Sequence, residues 1–211
     1  GMAWRTSPIS KARELVLVGD RDHKIYLVEW PVKNNQLKFQ EFDLDQFLPK
    51  TPVTGQSEWE SVFSDESGRI FIIQENPSRI LVVSADLKTL EGEITLLGGE
   101  SANSGGEGLL PLANGHVLVV KEKNPIQVIE YGPEGAAPQG YKPGWSVEQQ
   151  GSFPLPKNFP ARFKPLHTWE LIKSHETLLE DSSGLNVDKK GVLYLLGDQR
   201  NMIAKIGKKL E

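Results

Sequence analysis

The chain has 211 residues with 24 basic and 28 acidic side chains, a net charge of −4, and its 38% of hydrophobic residues plus 20 glycines suffice for a core, which excludes wholesale disorder. No stretch approaches the roughly 20 apolar residues of a membrane helix, so no span is expected, and mild acidity without a basic stripe argues against a nucleic-acid partner. With no cysteine, disulfides, thiolate metal sites and cysteine nucleophiles are excluded together.

Gly1 before Met2 reads as a residue left by tag removal. Ala3 to Arg13 lacks an apolar core segment, because Trp4, Arg5, Pro8 and Lys11 interrupt it, so no signal peptide is expected there. Four later segments share one pattern: four apolar residues, a variable residue and an acid. They are Leu15-Val-Leu-Val-Gly-Asp20, Ile70-Phe-Ile-Ile-Gln-Glu75, Val117-Leu-Val-Val-Lys-Glu122 and Leu193-Tyr-Leu-Leu-Gly-Asp198. Each reads as a short strand buried on both faces, followed by a hairpin loop and a second strand.

Upstream of the acid the pattern continues. Gly68, Gly115 and Gly191 stand seven residues before it, in turns where glycine adopts a positive φ without steric cost. Glu60, Glu107 and Ser183 stand fifteen residues before it. The acids follow one another at 55, 47 and 76 residues, spacings of a four-stranded propeller blade with an insertion in the last interval. The expected fold is therefore all-β: a β-propeller of about four to five blade-like antiparallel sheets, incomplete at the termini.

The chain reads as a single domain over 2–211, with units at about 12–48, 57–97, 104–172 and 180–208. The Pro- and Gly-rich insertion runs from Gly132 to about Pro165, a long excursion on the rim with the character of a lid. After it, Leu171, His175, Leu178 and Leu179 permit a short helix, while Thr168–Ile172 suits an outer strand equally well. The first unit lacks an inner strand matching Glu60-Ser-Val62, and Arg13 stands where its turn glycine belongs. The last unit stops before an outer strand. Exposed edges of this kind invite pairing between chains, hence a homodimer.

Around each turn glycine the two strands run antiparallel, which gathers Glu60, Glu75, Glu107, Glu122 and Asp198 at one mouth of a central channel, with Asp20 as a sixth. Like charges so close need compensation. One reading is a hard cation, Ca²⁺ or Mg²⁺, held by Glu60, Glu107 and Glu122. The other is a solvated ion-pair rim built with Arg21, Arg79, Lys121, Lys123 and Arg200, and a one-residue register slip separates the two. His175-Glu176 lacks the second histidine of a zinc helix, Gly105-Gly-Glu-Gly108 is no nucleotide loop, and no G-x-S-x-G occurs. Of the tryptophans, Trp59 and Trp169 suit the core and Trp145 suits a ligand contact.

The phrases Glu58-Trp-Glu60-Ser-Val62, Asn103-Ser-Gly-Gly-Glu107-Gly-Leu109, Val119-Val-Lys-Glu122-Lys-Asn-Pro125, Asp181-Ser-Ser-Gly184-Leu185 and Leu193-Tyr-Leu-Leu-Gly-Asp198 resemble the SdiA-regulated, YjiK-like propeller family over roughly residues 57–206. The resemblance implies a propeller, often exported to the periplasm, with no firmly assigned reaction. It carries Glu60 and Glu107 over as inner-strand glutamates, and Glu122 and Asp198 as strand-end acids. More distantly the chain resembles phytase-like esterase and gluconolactonase propellers, which place a metal among central acids. It departs from the family in Glu58, often Asp there, in Ser61, which replaces a glycine, and in the absent final blade. The leading expectation is a non-enzymatic module binding a small polar ligand or a cation at the acidic mouth. The alternatives are a Ca²⁺- or Mg²⁺-dependent hydrolase of a phosphoester or lactone, with Lys121, Lys123 and Arg200 meeting the anionic substrate, and a purely structural dimerisation module.

Overall fold

Short β-branched runs separated by polar turns set the architecture. The computed structural model describes residues 1–19, 22–32, 34–48, 58–98 and 106–210. Its 15 strands form three sheets among these residues, with little helix. The first sheet is an antiparallel meander of β1 (Met2–Thr6), β2 (Arg13–Val18), β3 (Lys24–Trp30) and β4 (Phe39–Asp43). Two further meanders follow: β5 (Trp59–Ser64), β6 (Ile70–Gln74), β7 (Arg79–Val83) and β8 (Leu90–Leu96), then β9 (Gly106–Pro111), β10 (Val117–Lys121), β11 (Gln127–Pro133) and β12 (Ala161–Glu170). Their last strands pair in parallel, Ile94 with Ala161 and Leu96 with Phe163, which fuses them into one sheet of 8 strands. The third sheet holds β13 (Gly184–Val187), β14 (Leu193–Gly197) and β15 (Met202–Gly207). The first strands of successive meanders pack side by side, β1 on β5, β5 on β9 and β9 on β13, which makes the fold propeller-like. No helix among the described residues is long and apolar enough to cross a membrane.

The first meander does have an inner strand, against the expectation from sequence. Met2 pairs with Leu17 and Thr6 with Arg13, and the turn that joins them uses Lys11 at φ 60° in the role glycine plays elsewhere. The glycine turns follow the sequence reading, with φ of 84° at Gly68, 87° at Gly115 and 74° at Gly191. The segment after the insertion resolves as both alternatives in succession: the strand β12, then a short helix at Lys173–Leu179.

Double burial holds for the two central meanders. All of Ile70, Phe71, Ile72 and Ile73 are 0% exposed. Ile70 and Ile72 pack toward Val16, Val18, Ile25 and Leu27 of the first sheet, whereas Phe71 and Ile73 join the core shared with β9, β10 and β13. In β2 and β14 the expectation fails. Leu15 and Leu17 are only half-buried and Leu196 is exposed, because among the described residues the first and last sheets pack against a neighbouring sheet on one side only.

Segment 134–160 is a strap across the glycine-turn end, not a lid over the acids. Glu130 anchors its start, accepting hydrogen bonds from the backbone of Gln139 and Gly140 and from His116 Nδ1 at 2.6 Å. Trp145 O accepts from Ala113 N, Tyr141 donates to the carbonyl of Gly191, and Arg69 donates to that of Phe153 at 2.6 Å. One strap thus touches all three glycine turns and buries Tyr141, Val147 and Phe153 in the core. Trp145, the ligand-contact candidate, lies in this strap with Lys142 over its ring.

Candidate functional site

Two β-bulges build the acidic end. Ser61 pairs with Ile73 and Trp59 with Gln74, so Glu60 is an extra residue in β5; Gly108 pairs with Val120 and Gly106 with Lys121, so Glu107 is the extra residue in β9. A bulge frees its residue from strict alternation and re-aims the side chain, and here it does so at the same place in two neighbouring inner strands. The shifted register also sets Glu58 opposite Glu75, whose amide donates to the Glu58 carbonyl at 2.9 Å. Carboxylate oxygens of Glu58, Glu60 and Glu75, all half-buried, lie within 4.8 Å of one another.

Glu107 hydrogen-bonds Glu60. Burial above all, then the charge of Glu60 and that hydrogen bond, then the charges of Glu122 and Glu75, push the Glu107 carboxyl up to about 9. Glu122 also bears on Asp181, raised to about 6 by burial first and then by its hydrogen bond to Asp198. The acids therefore form a continuous series across three meanders, with Glu122 acting on both of its halves. Ser182, beside Asp181, donates its amide to the Glu122 carbonyl at 2.9 Å, and its Oγ is buried without a hydrogen-bond partner among the described residues.

The basic residues singled out from sequence separate. Lys123 joins the acids: its ammonium lies 2.6 Å from Glu122, which holds its pKa up, with Asp181 and Glu107 adding their charge. Lys121 instead donates to the Asn124 carbonyl at 3.0 Å, within its own hairpin turn. Arg200 pairs with Glu180 at 2.7 Å on the exposed surface, and Arg79 serves Gln74 and Glu93. Asp20, Arg21 and 103–105 lie outside the described residues.

Two site residues were missed from sequence, Glu58 and Asp181. The repeat already carried the signal, since Asp181 precedes Ser183 by the same two residues that separate Glu58 from Glu60. Chemically, clustered carboxylates with the Lys123 ammonium beside them offer oxygen ligands to a hard cation or hydrogen-bond acceptors to a cationic ligand.

A search among curated proteins finds no match. The family model described as SdiA-regulated matches residues 20–211, a span that includes every acid of this site. By that match, which covers most of the chain, the protein belongs to the SdiA-regulated family.

Proposed function

We propose that this chain is a binding module: a four-bladed propeller in a single domain, its last blade of three strands, whose acidic end takes up a hard divalent cation such as Ca²⁺ or Mg²⁺. The observation that carries the reading is the approach of Glu58, Glu60 and Glu75 oxygens to within 4.8 Å, next to Glu107 on Glu60. Carboxylates held so close repel unless a proton or a cation lies among them, and hard oxygen donors suit Ca²⁺ and Mg²⁺. Glu60, Glu107 and Glu122 were the ligands read from sequence; Glu58 and Glu75 extend that set around Glu60.

Thermal unfolding with added Ca²⁺ or Mg²⁺ tests the reading. A cation at a hundredfold excess over its Kd stabilises by about 2.7 kcal/mol, a rise of roughly 5–10 °C in Tm for a domain of this size. Glu60→Gln should abolish the rise. An unchanged Tm with either ion overturns cation binding. Hydrolysis of a phosphoester or lactone that vanishes in Glu107→Gln would replace the binding module with a metal-dependent hydrolase.

A further inference from the structure

The first and last sheets face each other across a cleft of about 780 Å³, floored by β5 and walled by β1 and β13. That volume is within the range of small-molecule sites. One wall presents Met2 and Trp4, which share a face with Leu17 and Leu15 through direct cross-strand pairing. The opposite wall presents Leu196 and Ile203, themselves a cross-strand pair. Met2 is 63% exposed and Ile203 70%, so the cleft keeps apolar surface in water on both sides.

Its charge is mostly negative. Among the described residues, the ionisable groups that line it are the carboxylates of Glu60, Glu148 and Asp188, the phenol of Tyr194 and the N-terminal ammonium of Gly1, which donates to the Val18 carbonyl at 3.0 Å, with no lysine or arginine side chain. Asp188 is engaged in its own turn, accepting from the amides of Lys190 and Val192 and from Tyr194, while Glu148 feels Lys189 and Arg13 nearby. Glu60 differs, because it opens the cleft into the acidic end, beside Glu58, Glu75 and Glu107. A carboxylate has about four acceptor sites, so Glu60 can serve Glu107 and a ligand together. An anionic head group would meet three carboxylates against the single ammonium of Gly1, whereas a cationic one meets its complement at one end and hydrocarbon along the rest.

We propose that this cleft binds an amphipathic primary amine, its ammonium on Glu60 and its chain between Met2 and Trp4 on one side and Leu196 and Ile203 on the other. The inference rests on the acidic end being a cation site and names the organic cation that its apolar extension suits. From Glu60 to Ser64 the strand rises about 13 Å, room for a chain of roughly eight carbons.

Isothermal titration with n-octylamine, n-octanol and octanoate tests it. Octylamine should bind, octanol at least tenfold more weakly, and octanoate not at all. Glu60→Gln should cost octylamine at least tenfold in affinity and leave octanol unchanged. Ile203→Asn, on an exposed position that folding does not need, should weaken both. Absence of octylamine binding overturns the proposal, as does equal binding of octanol or octanoate, or octylamine affinity indifferent to Glu60→Gln. A Ca²⁺-induced rise in Tm without octylamine binding removes the cleft site and keeps the cation site; failure of both probes removes both.

Discussion

Glu107 holds a proton that the unfolded chain releases. Its carboxyl is raised from 4.5 to about 9, so between these values the folded state binds more protons than the unfolded one. The sign follows: stability falls as pH rises through that window and levels off above it. On this group alone the slope reaches about 1.4 kcal/mol per pH unit. Asp181, raised to about 6, adds a fall of the same sign between its ordinary value and that pH. Glu107→Gln keeps a neutral hydrogen-bond donor, and at pH 8 it should be more stable than the parent chain by at least about 1 kcal/mol. Urea unfolding at pH 5, 7 and 9 checks this; parallel profiles for the two proteins would mean that Glu107 ionises normally. That Glu60, Glu75, Glu107 and Glu122 approach one another was legible in the repeat, because strand pairing carries them there, whereas Glu58 and Asp181 went unread. Which base joins them was not. Lys121 and Lys123 stand two residues apart, yet the Asn124 carbonyl captures one and Glu122 the other, a choice made by local acceptors rather than by strand geometry.

At the scale of elements, the bulges show what spacing encodes and what it hides. Glu60 lies eight residues before Gly68 and Glu75 seven after it, and the same inequality surrounds Gly115. One hairpin arm is longer by a residue, and the bulge absorbs it. The unequal arms were visible, but sequence does not say where along the strand the extra residue is ejected. The strap is the converse case. Its proline and glycine content marks an insertion, whereas its destination depends on turns remote in sequence. Asp65 is central to that docking: its side chain is fully buried and accepts from Arg69, from Ser67 and from the amide of Phe153, 88 residues away. Removing it leaves the Arg69 guanidinium, 12% exposed, without its counter-ion. Asp65→Ala should therefore destabilise by about 3–5 kcal/mol in urea unfolding. A loss below about 1 kcal/mol would mean that the strap and the turn hold together without it.

For the whole molecule, the informative failure is at the two ends of the series of sheets. Leu15-Val-Leu-Val and Ile70-Phe-Ile-Ile look alike in sequence, since the same β-branched and apolar residues suit a strand covered on one face or on both. What differs is the neighbour, which no local pattern contains. In the first sheet Val16 and Leu27 form a cross-strand pair packed against the second meander, while Leu17 and Tyr26, the adjacent pair, face the other way. That second face gathers Trp4 and Trp30 edge to face, and Tyr26 and Phe39 likewise. Two leucines of one sheet thus serve as an internal comparison. Leu27, 4% exposed, should cost about 2–5 kcal/mol when changed to alanine, by lost burial and the cavity left behind. Leu17 is half-buried on the open face, and the same change there should cost about 1 kcal/mol or less. Equal losses at the two positions, together with a dimer mass by light scattering, would show that a second copy covers the aromatic face in solution, as the exposed edges suggest from sequence. Unequal losses with a monomer mass would leave that face, and the cleft beside it, open to a small ligand.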